Sequence, residues 1–228
     1  MEDKGRVCVT GGTGFVASWL IMKLLRHGYS VNTTVRPQSR SSFSDSKRDI
    51  GFLTNLPGAS ERLRVFTADL ENPDSFAAAI EGCVGVFHVA HPLDYRNEET
   101  EATIANKCIG ATLGILTACV ETKSVRRVVY TSSVSTVMFN DEADGGAVLD
   151  ERWWSDVDYI RNEKLRGASY YISKTLTERA ALEFAEKHSL DVVTLNLTWT
   201  HGPFICPNWP LSVNSALAMM ISMNFFTF

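Results

Sequence analysis

Short runs rich in valine, phenylalanine and threonine alternate along the chain with longer stretches whose apolar residues recur at helical spacing. Arg6 to Val9 sets Val7 and Val9 between polar neighbours and ends at Thr10, which predicts a first strand. Phe15 to His27 carries Trp, Leu, Ile and Met in an amphipathic run that stops at Gly28, a natural C-terminal cap position. Tyr29–Val35, Leu63–Ala68, Gly85–Ala90, Arg127–Thr131 and Asp191–Leu197 read as further strands. Between them lie short helical character at Pro73–Glu81, a long helix from about Glu98 to Lys123, and a helix over Ser169–His188. Asp150–Asp156 reads as the start of a short helix whose tryptophans, Trp153 and Trp154, pack rather than bind. Near-continuous apolar runs such as Val86–Ala90 fit strands covered on both faces. The alternation predicts an α/β protein built on a Rossmann-type doubly wound parallel sheet, with ligands at the carboxyl ends of the strands.

The junction between the first strand and the first helix is the most informative stretch. Gly11, Gly12 and Gly14 stand there, and Ala17 follows in the third place of the spacing. Glycine allows the sharp turn and lets backbone N–H groups approach a diphosphate, while the helix opening at Phe15 and Val16 adds unpaired N–H groups and its positive dipole end. The strand–glycine–helix order predicts a dinucleotide site. At the end of the second strand stands Arg36, with no carboxylate between Asn32 and Gln38. An acidic residue there would bind the 2′-hydroxyl of NAD, whereas an arginine accommodates the 2′-phosphate of NADP(H). The polar stretch from Gln38 to Asp49 holds Lys47 and Arg48, basic residues able to close over that phosphate, and Asp69-Leu70 follows the third strand where adenine would lie.

Composition narrows the function classes. The 228 residues are 45% hydrophobic and 21% charged, ordinary values for a soluble protein with a substantial core. A net charge of −4 without any block of Lys or Arg argues against nucleic acid or an anionic membrane as partner. The five cysteines have neither C-x-x-C nor metal spacing and read as reduced, buried thiols. The N-terminus leads straight into the first strand, leaving no room for a signal peptide, so a cytoplasmic location is expected. The apolar C-terminal run from Ser215 to Phe228 is shorter than a membrane span needs.

Two residues turn dinucleotide binding toward hydride transfer. Tyr170 and Lys174 are four apart on a predicted helix, so both side chains share one face. A phenol with an ordinary pKa of about 10 is a poor acid or base at neutral pH, and a neighbouring ammonium stabilises its anion. Ser133, just past the fifth strand, can donate a hydrogen bond to a substrate carbonyl, with Ser132 as the alternative. Tyr171 has the wrong spacing to Lys174. His27 and His88 read as structural, and His91 and His201 follow strands and border the site; no pair has metal-ligand spacing, so no metal is expected.

The stretches Val7–Phe15, Gly28–Arg36, Phe52–Ser60, Ser75–His88, Trp154–Asp158 and Ser173–Leu176 together resemble the plant extended short-chain dehydrogenase/reductases of the dihydroflavonol reductase group, nearest to the vestitone (isoflavanone-type) reductases. The resemblance implies NADPH held by Gly11, Gly14, Phe15, Val16, Arg36, Lys47 or Arg48, Asp69, Leu70, Val89, Ala90 and Ser212. His91 and Leu197 stand at neighbouring positions where this chain departs from the group's usual threonine and proline. It implies Ser133, Tyr170 and Lys174 as the catalytic set. Reduction of a flavonoid- or isoflavonoid-type ketone to the alcohol is the implied reaction, with a small phenolic ketone as substrate and other enzymes of the same pathway as the remaining partners. Met138 replaces a polar position that in dihydroflavonol reductases reads the substrate's hydroxylated ring, which argues against a dihydroflavonol. The likeness fades after about Ala216, whereas family members continue further. The expected organisation is therefore a cofactor-binding domain over residues 1–197 and an incomplete C-terminal substrate lobe over 198–228. The alternative function is a catalytically inactive truncated or splice-variant NADP-binding protein.

Overall fold

The computed structural model describes residues 4–37, 49–92, 99–140 and 148–220. Lys47, Arg48 and the last eight residues lie outside them. Six parallel strands form one sheet: β1 (Arg6–Val9), β2 (Ser30–Val35), β3 (Leu63–Thr67), β4 (Gly85–His88), β5 (Arg127–Thr131) and β6 (Val192–Leu195). Their order is β3-β2-β1-β4-β5-β6, so the chain reverses direction across the sheet between β1 and β4. That switch point opens a crevice at the carboxyl ends of β1 and β4, where open α/β sheets place their ligands. Parallel pairing is continuous from Val31↔Leu63 at one edge to Thr131↔Leu195 at the other.

The helices are α1 (Phe15–Arg26), the single turns α2 (Gly51–Thr54), α3 (Ala59–Arg62) and α4 (Ala77–Ile80), then α5 (Glu101–Thr122), α6 (Val157–Asn162), α7 (Ala168–His188) and α8 (Leu211–Met220). Strand alternation decides which layer each residue joins. Val7, Val9 and Val31 pack with Ile21, Leu24 and Leu25 of α1 and with Leu53 and Ala59. Cys8, Val86 and Val128 point the other way, onto Phe76, Ile80, Ile115, Leu116 and Ala181. Both faces of the sheet are thus covered, which is why the polar-looking alternation of β1 still buries Cys8 completely.

α1 ends at Arg26, one residue short of the expected His27, and Gly28 closes it at φ +88°, where its N–H reaches Leu25 O and that of Tyr29 reaches Leu24 O. α5 is long and apolar enough by length and composition to cross a membrane, yet half of that window is buried, and the helix packs along α7 as a core helix does.

One expectation is corrected. No helix begins at Asp150; α6 starts at Val157, with the Asp156 carboxylate capping the N–H groups of Asp158 (2.7 Å) and Tyr159 (3.1 Å). Asp150 opens only a single turn, closed by Trp153 N on Asp150 O (3.1 Å), after which Ser155 N donates to Thr136 O (2.7 Å) and Asp156 N to Phe139 O (2.7 Å). Trp154 does pack, lying 4.9 Å from the Arg179 guanidinium.

Candidate active site

The glycine loop connects β1 to α1 inside the crevice. Gly11 adopts φ +71°, and a Cβ there would stand 3.1 Å from Ala90 Cβ; a Cβ on Gly12 would run into Thr33 Oγ1. The glycines therefore let β1 turn between β2 and the end of β4. Their own N–H groups are spent within the protein: Gly11 N on Thr34 Oγ1 (3.1 Å), Gly12 N on Thr34 O (2.8 Å) and Gly14 N on Gly11 O (2.9 Å). What remains for an anion is the first turn of α1. Gly14 caps it without a side chain, no acidic residue lies in that turn, and the first intrahelical bond is Ser18 N to Gly14 O. Helix geometry leaves the N–H groups of Phe15, Val16 and Ala17 without intrahelical partners. A cradle kept free of side chains and an uncapped, acid-free helix start fit a dinucleotide diphosphate.

Thr10 fastens this loop to β4. Its Oγ1 accepts from Val89 N (3.0 Å) and Ala90 N (2.9 Å), which leaves its proton for His88 Nδ1 at 3.1 Å. His88 then carries its own proton on Nε2, facing Thr112 Oγ1 of α5 at 3.2 Å. Burial, with the Lys174 charge adding to it, pushes His88 down to about 3, so the imidazole is neutral and structural, as its place in a strand implies. The Thr10–His88 clasp escapes sequence reasoning; its only trace is a threonine placed directly ahead of the glycines.

Arg36 stands exposed one residue beyond β2, the strand whose Thr34 is bonded to the glycine loop. Asp69 and Leu70 follow β3 in a turn closed by Asp69 N to Ser75 Oγ (2.9 Å) and Glu71 N to Asp69 Oδ1 (3.1 Å). Leu70 also lines an open groove of about 420 Å³ with Pro73, Asn106, Lys107 and Gly110. Leu197 reaches the same end of the sheet, its carbonyl accepting from Val134 N at 2.9 Å. Ser212 sits half-buried in the first turn of α8. Phe204, in the loop before α8, meets Phe15 edge-on at 6.4 Å.

Tyr170 and Lys174 lie one turn apart on α7, and Lys174 anchors that helix to the sheet. Its Nζ donates to Thr131 O at 2.9 Å and lies 5.1 Å from the Tyr130 ring. Only 4% of Lys174 is exposed, and desolvation brings its ammonium down to about 8. Two residues beyond Thr131, Ser133 begins a short 3₁₀ turn (Val134–Thr136) and accepts from Ser135 N (3.2 Å) and Ser135 Oγ (2.9 Å). With two bonds accepted, its own hydroxyl proton is left to give. Ser132 is committed elsewhere, donating to Glu178 Oε2 at 2.5 Å. The turn is braced by Ser155 Oγ on Ser135 O (2.7 Å) and by Asn196 Nδ2 on Thr136 Oγ1 (2.8 Å).

His91 meets the Tyr170 ring edge-on at 5.6 Å, and burial holds its imidazole neutral. Tyr171 turns away and packs on Phe139 at 4.6 Å. Met138 is 41% exposed beside that pair, and His201 is exposed in the loop before α8.

A parallel sheet of order 3-2-1-4-5-6 with a glycine turn at its switch point defines the Rossmann-type α/β class. Comparison makes this specific: residues 7–224 match the model of the NAD dependent epimerase/dehydratase family, and the chain belongs to that family. Among its relatives, vestitone reductase of Medicago sativa is 54% identical over 96% of this chain and 65% of its own length. Dihydroflavonol 4-reductase of Zea mays is 45% identical over 96% of this chain and 59% of its own. The crystal structure of vestitone reductase from alfalfa superposes with a TM-score of 0.80 at 53% identity, covering 94% of this chain and 63% of that one. The chain thus spans about three-fifths of the length of the curated relatives it matches.

Proposed function

We propose that the chain is an NADPH-dependent ketone reductase acting on a flavonoid- or isoflavonoid-type substrate. The observation that carries this is the Lys174 Nζ bond to Thr131 O, which fixes the tyrosine–lysine face of α7 against the end of β5 two residues before Ser133. The relatives' names supply the substrate class, and vestitone reductase at 54% identity favours an isoflavanone over a dihydroflavonol, as does Met138.

The first turn of α1 would hold the cofactor's diphosphate, and Arg36, directly after β2, favours the 2′-phosphate form. Asp69 and Leu70 would serve the adenine side, and Val89, Ala90, His91, Leu197 and Ser212 would complete the contacts to the cofactor. When bound, the reduced nicotinamide supplies a hydride to the carbonyl carbon. Ser133 donates its hydroxyl proton as a hydrogen bond to the carbonyl oxygen and polarises it. Tyr170 delivers a full proton to that oxygen as charge develops there, giving the alcohol. Lys174, one turn away, lowers the cost of the resulting phenolate through its positive charge. Residues 1–197 form the cofactor-binding domain in this reading, and 198–228 begin the substrate lobe. The five cysteines are free and buried, which suits the reducing cytosol.

A second reading, dinucleotide binding without turnover, is favoured by apolar surface left open on β6 and the loop after it: Val193, Leu195 and Trp199 are 37%, 42% and 60% exposed. Loss of substrate positioning can remove most of a rate while cofactor binding survives. Tyr170→Phe separates the two. Removing a general acid costs about 10²–10⁴-fold in rate, so NADPH consumption with an isoflavanone should fall by that factor while NADPH affinity, read by fluorescence titration, is unchanged. Turnover unaffected by Tyr170→Phe removes its assigned role, and NADPH binding with no turnover of any flavanone, isoflavanone or dihydroflavonol selects the second reading.

A further inference from the structure

His91 carries a polar atom that the fold buries and leaves unused. Its Nε2 is closed off from solvent and meets no hydrogen-bond donor or acceptor among the described residues. Such an atom is costly to keep, because it has given up water without gaining a partner. His88, three residues earlier, shows what a structural histidine does in this fold. Both of its ring nitrogens are engaged, Nδ1 with Thr10 Oγ1 at 3.1 Å and Nε2 with Thr112 Oγ1 at 3.2 Å.

The residues after β4 divide between the two halves of the site. Val89 N and Ala90 N are held by Thr10 Oγ1, and the Ala90 methyl group faces Gly11, where an added Cβ would stand 3.1 Å from it. His91, the next residue, instead meets the Tyr170 ring, with centroids 5.6 Å apart and planes at 88°. The alanine thus borders the glycine cradle, and the histidine borders the phenol assigned to the substrate's carbonyl. The imidazole is neutral, so Nε2 is a donor in one tautomer and an acceptor in the other. A hydroxyl group suits either tautomer because it both donates and accepts; a carbonyl or ether oxygen suits only one.

We propose that His91 is a specificity-determining residue whose Nε2 hydrogen-bonds a substrate hydroxyl lying close to the carbonyl that Tyr170 protonates, a role that rests on the reductase reading above. In an isoflavanone the second aryl ring is carried by the carbon next to the carbonyl. A hydroxyl at the ortho (2′) position of that ring is therefore the one placed to reach His91 while the carbonyl oxygen stays with Ser133 and Tyr170. A ketone without it leaves Nε2 buried and unpaired, and that penalty produces the discrimination.

The test is a titration of the full chain, saturated with NADP+, with 2′-hydroxyisoflavanone and with isoflavanone, followed by tryptophan fluorescence. Binding read in this way needs no turnover, and any contact of His91 with the cofactor cancels in the ratio of the two affinities. The hydroxylated ketone should bind about tenfold more tightly. His91→Phe keeps a ring and removes the nitrogen, and should bring the two affinities together. His91→Gln restores a hydrogen-bonding group and should recover part of the preference. Equal affinities in the parent overturn the proposal with no variant needed, so it stays decidable if His91→Phe fails to fold. A preference that survives His91→Phe also overturns it. A preference lost in His91→Phe, in a chain that reduces neither ketone, supports the role of His91 in recognition and removes only the reductase reading. Binding of neither ketone overturns both.

Discussion

Replacing Lys174 by methionine removes a charge that the fold holds against its solvation. The ammonium has come down from 10.5 to about 8 through burial, and the side chain is 4% exposed, so solvent screening is small. Below about pH 8 both folded and unfolded chains carry the proton and the burial cost is complete. Between about pH 8 and 10.5 the unfolded chain still binds the proton that the folded chain has released, so stability rises with pH. Above that window the cost is gone. The shift corresponds to about 3 kcal/mol in all, of which about 2 kcal/mol falls between pH 7 and pH 9.5. Lys174→Met has no such window. At neutral pH the variant also leaves the Thr131 carbonyl without its donor, a loss of about 1–3 kcal/mol, so its net stability should lie close to that of the parent. Urea unfolding followed by fluorescence of the five tryptophans, at several pH values for both proteins, measures this directly. The parent should gain about 2 kcal/mol on the variant between pH 7 and pH 9.5. Parallel stability curves would refute the claim that Lys174 is buried with its charge depressed.

Two more tests address the frame of the site. His88, pushed from 6.5 down to about 3, contributes stability that is complete above about pH 6.5 and is lost as pH falls toward 3, by about 5 kcal/mol; acid unfolding of His88→Gln should show a shallower pH dependence than the parent, and equal slopes would remove His88 from the account. Gly12→Ala drives a methyl group into Thr33 Oγ1, whose hydroxyl holds Val9 O at 2.8 Å, and should cost about 1–3 kcal/mol; adding Thr33→Ala should recover part of that loss, and strictly additive effects in the double variant would show that the two residues do not meet.

Much of the frame is legible in the residues because it depends on local periodicity. Val7 and Val9 against Cys8, the amphipathic run of α1 and the apolar β4 each declare an element whose geometry its own residues set. The six strands appear where that reading puts them, with ends moved by one or two residues: β6 stops at Leu195 rather than Leu197, because Asn196 is drawn onto Thr136. The start of α6 was not legible. Asp150 and Asp156 offer equal capping chemistry, and the choice falls to Asp156 because Ser155 and Asp156 are bonded to Thr136 and Phe139, contacts between segments distant in sequence.

The order of strands and helices, the glycine turn, and the placing of Tyr170 and Lys174 on one helical face follow from the order of residues, since spacing orients side chains within an element. The packing of distant segments settled what each polar group is left to do. It spent the Gly11 and Gly12 N–H groups on β2, committed Ser132 to a carboxylate 46 residues away, left Ser133 with a proton to give, and buried Lys174. Hydroxyls, carbonyls and amines have the same chemistry wherever they stand in a chain; which partner satisfies them, and how much water they keep, is fixed by packing between distant segments.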